Sequence, residues 1–125
     1  MTKLSENELK IMQILWDQGP SSVRDVHEKI SEDKDSGYTT TLKLMQIMAS
    51  KGIAVRDTSS RTHIYSAALS EQKTKKDLLS RFISSTFKGS SSSLVLQALG
   101  NGNTTQKELD EIKALISTIE KTNKK

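Results

Sequence analysis

Apolar residues recur at intervals of three and four through most of the chain, and this spacing predicts a mainly α protein. The first such stretch follows a capping box, in which Ser5 and Glu8 satisfy each other's backbone amides. Gly19-Pro20 cannot continue a helix, so the first helix is predicted to end there. Its apolar stripe consists of Leu9, Met12, Leu15 and Trp16.

Two further helices are predicted in the first half of the chain. The second opens at Ser21 or Ser22 and is broken by the polar stretch from Ser31 to Gly37. The third runs from about Thr39 to Lys51, and Gly52 is placed to end it.

A β-hairpin is predicted directly after the third helix. Residues 53–57 and 62–67 are short β-prone segments on either side of a polar turn. Three helices followed by a hairpin wing is the element order of a winged helix-turn-helix, so residues 1–69 are predicted to form such a domain.

The third helix carries a narrow polar stripe on an otherwise apolar surface. Such a stripe suits a recognition helix, which presents donors and acceptors to base edges in the major groove of DNA. Thr40 lies near the N-terminal end, where a hydroxyl and free backbone amides can meet a phosphate, and Thr41 is added to the predicted contacts. At 100° per residue, the stripe spans about 60° and consists of Thr39, Lys43, Gln46 and Ser50.

Any amphipathic helix at a protein surface has a polar face. The third helix alone therefore does not show whether its polar stripe binds DNA or is only exposed to solvent. The predicted hairpin favours DNA because it adds Arg56, Arg61 and His63. The chain has a net charge of +4, but the distribution of charge matters more: residues 38–68 hold four basic residues and one acidic residue. We therefore predict double-stranded DNA as a partner.

Several other functions are disfavoured by composition. The chain has no cysteine, and its two histidines, His27 and His63, do not lie in a ligand-spaced cluster, so no metal site is predicted. His27 is interpreted as a surface residue of the second helix. No nucleophile stands beside a base and no glycine-rich phosphate loop occurs, so no catalytic residue, cofactor or enzyme activity is predicted. No apolar run approaches the roughly 18 residues of a membrane span, and we expect a cytoplasmic protein.

The remaining residues, 70–125, are predicted to form a helical region. Ser70 caps a long helix, a short helix follows a run of four serines, and Thr105 with Glu108 forms a second capping box. The apolar residues either close a helical subdomain in one chain or face a second copy. We favour a homodimer, because the segments are short and a symmetric DNA reader needs two heads. The predicted interface residues are Leu78, Phe82, Leu94, Leu96, Leu99, Ile112, Ile116 and Ile119.

Six segments of the chain have a fairly specific order and spacing: residues 9–16, 38–43, 51–53, the hairpin ending at Tyr65, and residues 87–89 and 93–96. Through these segments the sequence resembles the penicillinase-repressor family, the BlaI/MecI type, along nearly its whole length. The resemblance implies a winged-helix head, a helical dimerisation region, and repression of a resistance or stress operon through a palindromic operator. At the start of the recognition helix this chain has Tyr38-Thr39-Thr40 and then Leu42, where family members often have Pro-Lys-Thr and an arginine.

The resemblance also implies how repression ends. In the family, a membrane sensor with a cytoplasmic zinc-protease domain triggers cleavage in the short helix after the serine-rich break. The cleaved Asn-Phe bond of the family aligns here with Gln97-Ala98. The alternative is that Leu94 to Leu99 are packed core that never opens. Copper sensing, which a branch of the family performs with C-terminal cysteines, is disfavoured.

Two other functions fit parts of the same pattern. A winged helix can serve protein contacts without binding DNA. A MarR-like regulator would respond to a small ligand, although an aromatic content of 4% supplies few rings to line its pocket.

Overall fold

The computed structural model describes residues 3–30 and 37–123. Two compact units are present, residues 1–76 and 77–125, whereas the sequence predicts a domain limit at residue 69. The predicted break from Ser31 to Gly37 lies outside the described residues except for Gly37. The elements are α1 (Glu6–Gln18), β1 (Ser21–Ser22), α2 (Val23–Ile30), α3 (Tyr38–Ser50), β2 (Ala54–Asp57), β3 (Ile64–Ala67), α4 (Glu71–Thr86), α5 (Ser91–Gly100) and α6 (Gln106–Asn123).

The predicted start and end of α1 are confirmed. Ser5 Oγ accepts a hydrogen bond from the Glu8 amide at 3.1 Å, and Glu8 Oε1 accepts one from the Ser5 amide at 2.9 Å. At the other end Gly19 has φ of 81°, a left-handed conformation that suits glycine, and its amide bonds Leu15 O. Local sequence therefore determines both ends of this helix.

The strand β1 was not predicted. Ser21 and Ser22 pair antiparallel with Tyr65 and Ile64, which gives a three-stranded sheet of order β1-β3-β2. Ser22 also caps α2, because its Oγ accepts a hydrogen bond from the Asp25 amide at 3.1 Å. The predicted hairpin is confirmed as β2 and β3.

The core of the first unit lies between α1, α2, α3 and the sheet. Trp16 Nε1 donates a hydrogen bond to Leu69 O at 3.0 Å, which ties α1 to the segment that follows the hairpin. This unit is the predicted winged helix, with three helices and a hairpin around one core. The buried apolar residues are Ile11, Met12, Leu15, Val23, Val26, Met45, Met48, Ile53, Ala54 and Tyr65.

The predicted helical region after the hairpin is also confirmed. Ser90 Oγ accepts a hydrogen bond from the Ser93 amide at 3.1 Å, so the serine run begins α5 three residues earlier than the predicted Leu94. Thr105 and Glu108 form the predicted capping box of α6. Before α5 the chain turns at Lys88 and Gly89, both with positive φ.

Candidate nucleic-acid interface

The helix α3 has one buried side and one exposed side. Thr41, Met45 and Met48 recur every three or four residues and lie in the interior. Opposite them is a polar face that includes all four residues of the predicted stripe and is wider than predicted, at about 120° when successive residues are placed 100° apart. We call this surface the outer face of α3; it consists of Thr39, Thr40, Lys43, Gln46, Ile47 and Ser50, all exposed.

Thr41 does not belong to the outer face. Only 3% of Thr41 is exposed, and its Oγ1 lies 2.9 Å from His27 Nδ1 of α2 with a shared hydrogen bond. The hydroxyl that the sequence assigned to DNA therefore joins α2 to α3, and its burial keeps it from a ligand on the outer face. His27 is half-buried rather than a free surface residue, and its ring meets that of Tyr38 edge-on at 5.7 Å.

The C-terminal end of α3 is held by an ion pair to the start of α1. Lys51 Nζ lies 3.0 and 2.8 Å from the two carboxylate oxygens of Glu8, which is itself buried. Burial raises the pKa of Glu8, but hydrogen bonds from Lys51 and from the Ser5 amide outweigh it and leave the pKa below its ordinary value. This cation is therefore engaged within the protein, in contrast to Lys43.

The wing, formed by β2, β3 and the turn between them, is hydrogen-bonded to the end of α3. The Ile53 amide donates to Met48 O at 3.1 Å, and the Ala68 amide donates to Ile53 O at 3.0 Å, so both ends of the hairpin are anchored beside the end of α3. Ile53 itself is buried in the core. The hairpin is thus positioned by the same core that positions α3.

The predicted wing residues all lie on the surface. Arg56 is in β2, opposite Tyr65 in the register, while Arg61 and His63 lie in the turn before β3, and all three are exposed. The turn is shaped by Asp57, whose Oδ1 accepts from the Ser59 amide at 2.9 Å; this bond lowers the pKa of Asp57. The wing therefore presents two guanidinium groups and an imidazole.

A groove of about 560 Å³ lies beside the inner edge of α3. Its lining combines aliphatic side chains with the charged residues Lys10, Lys29 and Asp17. Thr40 and Leu44 of α3 contribute to its wall. Among residues 3–30 and 37–123, no three His, Asp or Glu side chains come together in a way that could hold a metal ion.

The second unit exposes much of its apolar surface. No side chain of α4, α5 or α6 is buried. Of the predicted interface residues, Leu78, Leu94, Leu99 and Ile112 are half-buried, and the others are exposed, Leu96 by 71% and Ile116 by 50%. Further exposed apolar residues, which the predicted interface did not include, are Leu79, Val95 and Leu115.

The predicted cleavage bond lies within α5. Gln97 and Ala98 are both exposed and both helical, three or fewer residues before the helix ends at Gly100. Leu94 and Leu99, which bracket the bond, are half-buried. None of the helices in the described ranges is both long enough and apolar enough to cross a membrane.

Three helices around one core, a third helix with an exposed polar face, and a basic hairpin define a winged helix-turn-helix protein. The model of the penicillinase repressor family matches residues 4–118, so the chain belongs to that family. The resemblance noted in the sequence is thereby confirmed.

Curated relatives match the chain over different lengths. It is 35% identical over 66 residues to the transcriptional regulator BlaI of Mycobacterium tuberculosis strain H37Rv, which covers 52% of this chain and 48% of the relative. The aligned part is thus about half of that protein. The methicillin resistance regulatory protein MecI of Staphylococcus aureus strain N315 is 25% identical over 92% of this chain and 94% of its own. The penicillinase repressor of Staphylococcus aureus is 25% identical over 95% and 94%.

Proposed function

We propose that this protein is a cytoplasmic transcriptional repressor that binds a palindromic operator as a homodimer and has no catalytic role. The observation that carries the proposal is the outer face of α3, which presents hydrogen-bonding side chains beside a basic wing. The names of the relatives, a transcriptional regulator and a penicillinase repressor, support the regulatory part.

In the proposed complex, α3 enters the major groove with its outer face toward the bases. Lys43 and Gln46 lie midway along the length of that face and reach base edges, while Thr39 and Thr40 lie in the first turn, where the positive end of the helix dipole favours a phosphate. Arg56, Arg61 and His63 of the wing contact the adjacent backbone.

Recovery and sequencing of genomic fragments bound by the full chain tests this function. We expect a small set of fragments that share two inverted half-sites, with affinity that falls steeply as salt rises because phosphate contacts release counterions. Equal binding of random fragments and recovered fragments would exclude sequence-specific binding to an operator. Selective capture of a protein with no enrichment of DNA would favour the competing role of the winged helix in protein contacts.

The homodimer is proposed from the second unit. A helical unit whose helices bury no side chain gains little from its own packing, and a second copy supplies the missing cover. The exposed residues Leu96, Ile116 and Ile119 recur on α5 and α6 as a seam for such a partner. Two joined heads then match the two halves of a palindrome.

Relief of repression is proposed to come from cleavage within α5, by a membrane sensor-protease system. One head offers one helix and one wing, and joining two heads can raise avidity by about 10²–10⁴ without new contacts. The bond lies within the proposed dimer surface, so a cut there separates α6 and the end of α5 from the rest of that surface. Such a cut weakens the dimer, removes that gain and leaves the first unit intact. The exposed bond between Gln97 and Ala98 suits this role once the end of α5 unwinds.

Replacing Gln97-Ala98 with the recognition sequence of a specific protease tests the release step. Operator affinity should fall by at least a hundredfold after complete cutting. The same protease applied to the unaltered chain should leave affinity unchanged. Full affinity in the cut dimer would exclude release by cleavage and would leave operator binding itself intact as a proposal.

A further inference from the structure

Ile47 lies on the outer face of α3, with 45% of its surface exposed. The apolar spacing of α3 assigns Ile47 to the inner side, together with Leu42 and Leu44. Leu42 and Leu44 are half-buried and pack against the core, whereas Ile47 is exposed. The structure therefore leaves one large aliphatic side chain among the polar residues that are proposed to face DNA.

The position of Ile47 is within the outer face rather than at its edge. At 100° per residue, Ile47 projects between Lys43, one turn before it, and Thr40, two turns before it. Both neighbours are exposed. A ligand that covers Lys43 and Thr40 must therefore cover Ile47 as well.

The chemistry of the major groove restricts what can lie against an isoleucine. Its base edges present acceptors and amino donors, and their one apolar group is the C5 methyl of thymine. An isoleucine set against a guanine, cytosine or adenine edge leaves a polar atom without water and without a partner, which is unfavourable. Against thymine it removes apolar surface from water on both sides.

We propose that Ile47 contacts a thymine methyl group in each half-site and so acts as a specificity-determining residue. The inference rests on the proposed docking of α3 in the major groove. It adds the identity of one base and the side chain that selects it.

Substitution of deoxyuridine for thymine tests this contact, because it removes only the C5 methyl. Each thymine of a recovered operator is replaced in turn, at the equivalent position of both half-sites, and affinity is measured for the full chain. At one thymine position the replacement should reduce operator affinity about fourfold for each methyl group removed. Replacement in both half-sites should then reduce it about fifteenfold. For the Ile47→Ala variant, the same replacement of thymine should reduce operator affinity less than twofold.

Val55→Ala is the matched control, since Val55 is an aliphatic residue on β2 with 55% exposure. It should retain the full deoxyuridine penalty, and thermal unfolding of both variants should remain close to that of the unaltered chain. A penalty that persists in Ile47→Ala, or the absence of any penalty in an operator that the unaltered chain binds, would overturn the inference alone. Failure to recover any specific DNA would overturn the proposed function and this contact with it.

Discussion

Some side chains on or next to α3 bond it to the rest of the first unit, and others are exposed on its outer face. Thr41 and Lys51 hold it, through His27 and Glu8 respectively. Lys43 and Gln46 are displayed. Threonine and lysine occur in both groups, since Thr40 is exposed like Lys43. A threonine or a lysine on or next to this helix can therefore be assigned only from its contacts.

The pair of Glu8 and Lys51 makes stability depend on acid pH. The pKa of Glu8 is lowered in the folded chain, so its contribution is complete above the ordinary glutamate value of about 4.3 and is lost as pH falls through the lowered value. We expect Glu8→Gln to reduce the free energy of unfolding by about 1–2 kcal/mol at pH 7, since Lys51 is partly solvated and loses only its partner. Urea titrations at pH 7 and pH 3 measure this, and the difference between variant and unaltered chain should shrink at pH 3.

Glu6→Gln is the control for Glu8→Gln. Glu6 is an exposed carboxylate in the same first turn of α1. Its replacement should change the free energy of unfolding by much less than Glu8→Gln at either pH. An equal loss for both variants would show that helix-end charge, and not the pair with Lys51, stabilises the fold.

At the scale of elements, α3 is proposed to contact base edges and the wing to contact the phosphate backbone. Side chains that reach base edges discriminate between sequences, whereas those that reach phosphates bind all sequences. The two elements can therefore be separated by how a substitution affects specific and non-specific affinity.

Replacing Lys43 or Gln46 with alanine should weaken operator binding by about 1–3 kcal/mol and change non-specific binding little. Replacing Arg61 with alanine should weaken all sequences alike and lower the salt slope by roughly one. Titrations of operator and scrambled duplex at several salt concentrations measure both effects. Unchanged operator affinity in all three variants would contradict this docking.

Local signals in the sequence predicted where most helices begin, and long-range contacts explain what was missed. The capping boxes at Ser5 and Thr105 act within four residues, so they can be recognised without the fold. The strand of Ser21 and Ser22 forms only because it pairs with β3. No local sequence pattern predicts that pairing. The burial of Thr41 and the exposure of Ile47 likewise depend on what packs beside α3.

At the scale of the whole molecule, two copies are proposed to meet through the second unit. Leu96→Ala and Ile116→Ala remove apolar groups that are open in one chain and, in the proposed dimer, covered. Each should weaken the dimer by about 2–5 kcal/mol if the side chain is fully buried there. Val55→Ala changes an exposed aliphatic residue of the first unit and should leave dimerisation unchanged. Sedimentation over a range of concentrations measures the dissociation constant, and wild-type values for both Leu96→Ala and Ile116→Ala would contradict the proposed surface.

The most direct measurement of the central claim compares the full chain on three duplexes of equal length. One carries both half-sites of a recovered operator, one carries a single half-site, and one is scrambled. At physiological salt, a dimeric reader should bind the complete operator 10³-fold or more tighter than the scrambled duplex, typical of specific regulators, with the single half-site between them. Equal affinity for all three duplexes would contradict the claim that this protein reads a palindromic operator through paired winged helices.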